Sequence, residues 1–397
     1  MDIISELDGK RILIWGYGRE GKATEHFLKR CAKPASVDIF EGKREEINED
    51  AYDFIIKSPG IVMKEENPKY TSETELFLQQ FRDQVIGITG TKGKSTTSAM
   101  LYTVLKACSG RPVLLLGNIG QPCLDYFEEV TEDTIIVYEM SCHQLAHTNV
   151  SPHIAIFLNL YEEHLDYYGT VEKYFEAKSH IAAYQKSGDF FFVGENVPKI
   201  ETKAEKTVLH QPKDVHYKLK LAGEHNQYDA QFVEHVAELL GCEKEAVLKS
   251  MAEFEGLPHR LQYIGTYRGV RYFDDSISTI PEAAINAAMS IPDAKTILIG
   301  GMDRGINYDL LITFIREHRE FQFICAYASG KRIFGEVGDC ENCVYVEDLE
   351  QAVEAAVQMT EPGGACILSP AAASYGYFKN FEERGEAFQK YVYAFAQ

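Results

Sequence analysis

The sequence predicts an α/β protein in three domains: a Rossmann-like N-terminal domain, a central phosphate-loop ATPase domain with a mostly parallel sheet, and a Rossmann-like C-terminal domain. Three observations predict it. Short apolar runs alternate with helix-length segments along most of the chain. Two glycine-rich turns, at 16–21 and 90–93, each follow an apolar run and open a helix. Polar residues gather just past the C-terminal ends of these runs, where an open parallel sheet binds its ligands.

Length and charge set the outer limits. At 397 residues the chain exceeds one ordinary domain, since roughly 150 residues per domain gives two or three. Apolar content of 45% with 25% charged residues excludes a largely disordered chain. A net charge of −20 opposes a broad nucleic-acid or anionic-membrane surface, so an anionic substrate needs locally collected lysines, arginines and helix ends. The acidic start, Met1-Asp-Ile-Ile-Ser-Glu-Leu-Asp8, has no long apolar core, and no later apolar run approaches about 18 residues. The expectation is a cytoplasmic protein without membrane insertion. Nine cysteines, an odd number spread over a long chain, read as reduced thiols. Cys340-Glu-Asn-Cys343 has no second CxxC to complete a zinc site and reads as coincidence.

Residues 1–82 form the first expected domain. Lys10-Arg-Ile-Leu-Ile-Trp15 is a buried strand run, and Gly16-Tyr17-Gly18-Arg-Glu-Gly21 after it is a GxGxxG nucleotide-binding turn. A second strand, 37–40, ends at Glu41, about 20 residues past the last glycine, where a dinucleotide fold holds a ribose; NAD is one ligand this pattern fits. A third strand from Phe54 ends in Ser58-Pro59-Gly60, a turn able to meet a ligand with its backbone. The charged, proline-marked segment 64–82 leads to a domain boundary.

Residues 83–258 form the central domain. Val85-Ile-Gly-Ile-Thr89 runs into Gly90-Thr91-Lys92-Gly93-Lys94-Ser95-Thr96 and then a helix. Its glycines point backbone N–H groups inward, Lys94 brings charge to the outer phosphates, and Ser95 or Thr96 can place a hydroxyl on magnesium. The usual loop has four residues between its glycines; here Ile88 stands where the first would fall, so the loop is a compact form. Runs at 112–117, 134–138 and 154–158 are further strands, ending at Asn118, at Glu139 and at the cluster Asn159 to Asp166 that contains His164. Glu139 is a candidate magnesium carboxylate and His164 a candidate ligand. A helix carrying Tyr174, Lys178 and His180 follows. The stretch 186–222 reads as short strands and loops, Gly223-Glu-His225-Asn226 opens a helix, and Glu255-Gly-Leu-Pro-His-Arg260 is a closing turn.

Residues 259–397 form the third domain, with strands at 270–273, 296–300, 321–327 and 365–368, and helices from 281, at 308–317, at 348–358 and at the end of the chain.

The compact phosphate loop, Asn118-Ile-Gly, Glu139-Met-Ser, Glu163-His164-Leu-Asp166 with Lys178, His225-Asn226, Gly-Leu-Pro-His-Arg260 and Asp275-Ser276 together resemble the Mur ligases of peptidoglycan synthesis, over essentially the whole chain. The ending from Leu368 to Gly385, with Ser58-Pro-Gly60 and the GxGxxG turn, resembles the branch that joins glutamate to UDP-N-acetylmuramoyl-L-alanine. The resemblance implies an ATP-dependent amide ligase of cell-wall precursor synthesis, hence of cell shape and division, working as a monomer with ATP and two magnesium ions through an acyl phosphate. It assigns Gly16, Tyr17, Gly18, Gly21, Glu41, Ser58, Pro59, Gly60, Asn118 and His164 to the UDP substrate. Gly90, Thr91, Lys92, Gly93, Lys94, Ser95, Thr96, Asn226, Arg260 and Asp275 go to ATP. Ser95, Glu139, His164 and a carbamylated Lys178 go to metal; Lys94, Glu139, His164, Lys178 and Arg260 are the catalytic set.

Thr279, Arg304, Ser374 and Phe381 are the implied glutamate pocket, and there the chain departs from the branch. Ile277 and Arg304 stand where lysines are usual, and Asp229 where an asparagine is usual. The form Asp275-Ser-Ile-Ser-Thr279 resembles a divergent group some of whose members add L-glutamate. Other classes fare worse: an oxidoreductase leaves Lys94, Glu139, His164 and Lys178 without a task, and a silent binding relative would have lost one of the first three.

Overall fold

The computed structural model describes residues 2–61, 67–163, 165–212, 216–221 and 223–396. The chain divides into two compact units, one of Met1–Leu219 with Glu224–Phe254, the other of Lys220–Gly223 with Glu255–Gln397. It therefore passes between them three times. The first unit carries two sheets and the second carries one.

In the first sheet, β1 (Arg11–Trp15) lies between β2 (Ser36–Phe40) and β3 (Phe54–Lys57), and β4 (Tyr70–Thr71) pairs outside β3, all parallel. Ile12, Leu13, Ile14 and Trp15 are buried on both faces, as a strand covered by helices requires. Because the chain goes to one side of β1 for β2 and to the other for β3, the turns after β1 and β3 open a crevice at the strand ends.

The second sheet has the order β10-β9-β8-β5-β7-β6 and is wholly parallel. Its strands are β5 (Val85–Thr89), β6 (Val113–Gly117), β7 (Ile135–Glu139), β8 (Ile154–Phe157), β9 (Phe190–Gly194) and β10 (Glu205–Leu209). All of β5, β7 and β8 is buried. Helices Lys94–Cys108 and Glu224–Leu239 pack on each other beside it.

The second unit's sheet has the order β11-β12-β16-β13-β14-β15, from β11 (Gln262–Tyr267), β12 (Val270–Asp274), β13 (Ala294–Ile299), β14 (Gln322–Ala326), β15 (Cys343–Val346) and β16 (Ala365–Leu368). Only β11 runs antiparallel, in a hairpin with β12.

Several of these elements depart from the alternation expected from sequence. The segment 64–82 contains helix Glu73–Phe81, capped by Ser72, whose hydroxyl accepts from Glu75 N at 3.1 Å. Ser-x-x-Glu is a helix-start pattern, outweighed in the sequence by the surrounding charge. Strand β11 is joined to β12 by Arg268-Gly269, both at positive φ (+50° and +80°), the two-residue turn that matches strand twist. Helix Tyr327–Val337 and β15 form a further repeat within the third region; Gly330 and Gly335 dilute the helix's apolar stripe, and β15 has only four residues. A short helix, Ile3–Leu7, is capped by Asp2. The described cysteines are all free thiols, and Cys325 Sγ lies 3.5 Å from Cys343 Sγ without a bond. Among the described residues no helix is long and apolar enough to cross a membrane.

Ser72→Ala should cost about 1 kcal/mol through loss of its cap. Hydrogen exchange checks this: amides at 73–76 should exchange faster in the variant, while those of the second unit keep their rates.

Candidate active site

The phosphate loop leaves the centre of its sheet. Strand β5 is paired on both sides, with β7 and β8, so the chain past Thr89 emerges at a fixed point. Gly93, at φ +84°, caps helix Lys94–Cys108, and a Cβ there would lie 2.6 Å from both carboxylate oxygens of Asp229. Only glycine fits. Asn159, just past β8, clamps the loop from the side. Its carbonyl accepts from Thr91 N (3.0 Å), its Oδ1 accepts from Lys92 N (2.9 Å), and its Nδ2 donates to Lys92 O (3.0 Å).

Two ammonium groups converge on one carbonyl. Lys94 Nζ donates to Gly90 O at 2.9 Å and to Thr91 O at 3.0 Å; Lys178 Nζ donates to the same Gly90 O at 2.8 Å and to Thr89 Oγ1 at 3.3 Å. Lys178 is 1% exposed, and burial, with Lys94 adding to it, pushes its amine down to about 7. Burial also lowers Lys94, against the pull of Glu139. Glu139 ends β7 fully buried; its Oε1 accepts from Asn118 Nδ2 at 2.7 Å, and its Oε2 is buried without a hydrogen-bond partner. That orphaned oxygen fits a cation or a ligand donor. Ser95 and Thr96 follow in the helix's first turn, half-buried. His164 lies outside the described residues; among those described, no group of three His, Cys, Asp or Glu side chains is arranged to hold a metal.

A cavity of about 360 Å³ adjoins these lysines, lined by Lys94, Lys178, Asn118, Tyr174, Pro59 and Glu20 among others. It reaches the N-terminal turns within the same unit. There Ser58 Oγ donates to Gly16 O at 3.0 Å, joining the GxGxxG turn to Ser58-Pro59-Gly60. Gly18 caps helix Arg19–Cys31, which begins with Gly21 in its first turn; Tyr17 turns away to Glu25 (2.6 Å), and Glu41 is exposed past β2. Gln144 Nε2 donates to Glu20 Oε1 at 2.8 Å. Asn226, 8% exposed, sits in the first turn of helix Glu224–Leu239, one turn before Asp229.

In the second unit the remaining expected residues collect at the C-terminal ends of β12, β16 and β13, which are neighbours in the sheet. Asp275 and Thr279 follow β12, Arg304 follows β13, and Ser374 and Phe381 follow β16. Met302 N donates to Ala373 O at 2.8 Å, drawing the last two loops together. Arg260 is exposed in the turn before β11, and that turn is tied to Asp275 by Leu261 N (3.1 Å). Burial pushes Asp275 up to about 6. Arg304 is exposed, with Asp303 beside it held instead by Arg332.

The residues that hold these groups carry no distinct signal of that role in the sequence. Asn159 was readable only as a polar strand end. His259, at φ +60°, has its Nδ1 2.7 Å from Asp274 Oδ2, and Gly385 lets the helix Phe381–Ala396 approach, since a Cβ there would lie 2.1 Å from that Nδ1. Arg384, 1% exposed, donates to Ser276 Oγ, Ser276 O and Ala372 O.

A family model described as Mur ligase middle domain matches residues 88–238. A UDP-N-acetylmuramoylalanine–D-glutamate ligase from Aquifex aeolicus is 30% identical, covering 96% of this chain and 98% of that protein. One of the same name from Lactobacillus delbrueckii subsp. bulgaricus is 29% identical, covering 99% of each. Among solved structures, MurF ligase from Thermotoga maritima in complex with ADP aligns with TM-score 0.61 at 17% identity, over 98% of this chain and 96% of that one. The UDP-N-acetylmuramate-alanine ligase MurC of the same organism aligns with TM-score 0.61 at 17% identity, over 97% and 99%. At such identity the two structures bear on the fold alone.

The His259–Asp274 pair makes stability depend on pH. The Asp274 hydrogen bond raises the imidazole above its ordinary value, so its contribution is complete below about pH 6.5 and fades as pH rises through the raised value. Comparing urea unfolding at about pH 6 and about pH 8.5, wild type should lose roughly 1 kcal/mol more than His259→Asn.

Proposed function

The chain belongs to the Mur ligase family, and from that premise we propose that it is an ATP-dependent ligase joining D-glutamate to UDP-N-acetylmuramoyl-L-alanine. The observation that carries this reading is the convergence of Lys94 and Lys178 on the Gly90 carbonyl, beside buried Glu139 and a cavity continuous with the N-terminal glycine turn.

A carboxylate does not acylate an amine in water because its leaving group would be oxide. Attack of the alanyl carboxylate oxygen on the ATP γ phosphorus breaks the bond to the β–γ bridging oxygen, which makes an acyl phosphate and leaves ADP. The glutamate nitrogen then attacks the acyl carbon, the bond to the phosphate oxygen breaks, and phosphate and a proton leave. Both partners of the first step are anions, so positioning and charge neutralisation are what the protein supplies. The loop amides of Gly90–Thr96 and the Lys94 ammonium receive the β and γ phosphates. Lys94 is already desolvated and needs only to swing from carbonyl oxygens to phosphate oxygens.

Ser95, Glu139, His164 and Lys178 would hold two magnesium ions, and the orphaned Glu139 Oε2 fits that duty. Bound magnesium neutralises phosphate charge. Lys178 becomes a suitable ligand as a carbamate: with its amine near 7, much of it is the neutral nucleophile that adds CO₂ and gives up one N–H proton to solvent, which leaves an anionic oxygen end. Gly16, Tyr17, Gly18, Gly21, Glu41 and Ser58–Gly60 receive the UDP group, with Asn118 toward the muramoyl part. Asn226, Arg260 and Asp275 are assigned to the nucleotide, and Thr279, Arg304, Ser374 and Phe381 to glutamate. Arg304 supplies a cation able to pair rigidly with a carboxylate. Domains 1–82, 83–258 and 259–397, for UDP substrate, ATP and amino acid, belong to the same reading, as do a cytoplasmic location and a monomeric state.

The test is phosphate release from ATP with UDP-N-acetylmuramoyl-L-alanine, with D- and L-glutamate in separate reactions and the product weighed by mass spectrometry. Release with D-glutamate is expected. Release with L-glutamate alone would reassign the isomer to the pocket holding Ile277, and silence with both would overturn the ligase reading. Lys94→Ala should lower turnover by at least about a thousandfold, or some 4 kcal/mol. Lys178→Ala should be comparably slow and partly rescued by added bicarbonate or chloride; full activity without rescue would remove the carbamate.

A further inference from the structure

The phosphate loop has a second acidic neighbour that the chemistry above does not use. Asp229 is 3% exposed on helix Glu224–Leu239, with its carboxylate against the back of Gly93, the cap of helix Lys94–Cys108. Its Oδ2 is buried, and the buried hydroxyl of Thr97 faces it from that helix's first turn as its polar neighbour, too poorly aligned for a full hydrogen bond. Among the described residues no lysine, arginine or histidine pairs with it. Lys94 is turned to the Gly90 and Thr91 carbonyls, Lys92 to Glu163 at 2.9 Å, and Tyr228, next to Asp229 on its own helix, gives its hydroxyl to Leu209 O.

A carboxylate at a helix N-terminus is ordinarily content as an anion. Here burial outweighs that and pushes the group up to about 7. The front of the same helix end is where the polyphosphate lies in the ligase reading. Both would be anions at one positive pole, separated by backbone rather than water, and their repulsion is barely screened there. The least costly relief is a proton on Asp229.

We propose that Asp229 is a proton-linked positioning residue for the nucleotide: binding of ATP at the loop draws one proton from solvent onto the Asp229 carboxyl, and departure of the nucleotide releases it. This rests on the ATP-ligase reading. The neutral carboxyl can then donate its proton to a neighbouring oxygen, and Gly93 keeps its place without a buried charge behind it. Nucleotide affinity therefore falls as pH rises through the titration of Asp229.

Isothermal titration of magnesium-ATP into the full chain, in two buffers of different ionisation enthalpy at about pH 7 and about pH 8.5, counts the protons. Asp229 of the free wild type is about half protonated at about pH 7, so wild type should take up about half a proton more than Asp229→Asn there and close to one more at about pH 8.5, and its affinity should fall more steeply, by up to about tenfold per pH unit. Lys94, Lys178 and the phosphates titrate in both proteins and cancel in the difference. Equal proton counts with parallel pH profiles would overturn the inference. Asp229→Ser, which also removes the charge, serves the same comparison if the asparagine variant does not fold. Absence of ATP binding to wild type at either pH would overturn the ligase reading, and the inference with it.

Discussion

The Gly90 carbonyl accepts two ammonium groups, and much of the first unit is arranged so that it can. Two cations on one oxygen repel each other where water is scarce, which adds to burial in bringing Lys178 down to about 7, so that much of it is neutral. The arrangement holds because Thr89 adds its hydroxyl to Lys178, Thr91 adds its carbonyl to Lys94, and Glu139 supplies opposite charge nearby. Each partner is fixed by the sheet: Gly90 follows β5, Glu139 ends the strand on one side, and Asn159 follows the strand on the other. In the ligase reading a loop held this way is prepared for an anion, because burial has already taken water from the lysines.

The second unit solves a related problem with neutral and charged groups interlocked. Its loops carry exposed Arg260 and Arg304, which the ligase reading assigns to ligands, and rigidity comes from residues behind them. Arg384 fastens the loop after β12 to the loop after β16 through backbone carbonyls, and His259 with Asp274 fixes the turn before β11. Burial leaves Arg384 short of water, pushing it down to about 10; three hydrogen bonds to oxygen compensate.

Residues whose role depends on local chain geometry were readable from sequence. Gly93-Lys94-Ser95 declares itself because a strand, a turn and a helix follow one another in the chain, and β5, β7 and β8 stand out as continuous apolar runs. Residues whose role depends on pairing distant segments were not. Asn159 is 67 positions from Lys92, and Ser276 is 108 from Arg384, so no spacing links them. Helix Glu73–Phe81 was missed for another reason: its start signal was present, but the charge around it resembled a linker. Hairpin β11–β12 was hidden because an edge strand facing solvent lacks the apolar run used to find the others.

The division of the chain bears on inheritance. Since Lys220–Gly223 belongs with the C-terminal unit while Glu224–Phe254 returns to the first, the two units are interleaved in sequence. A single recombination breakpoint near 254 would separate the later unit from four of its own residues, including Lys220, which pairs with Glu255 at 2.8 Å. Gene fusion or exchange of the C-terminal unit therefore carries a fitting cost at that seam, and the halves are expected to be passed on together.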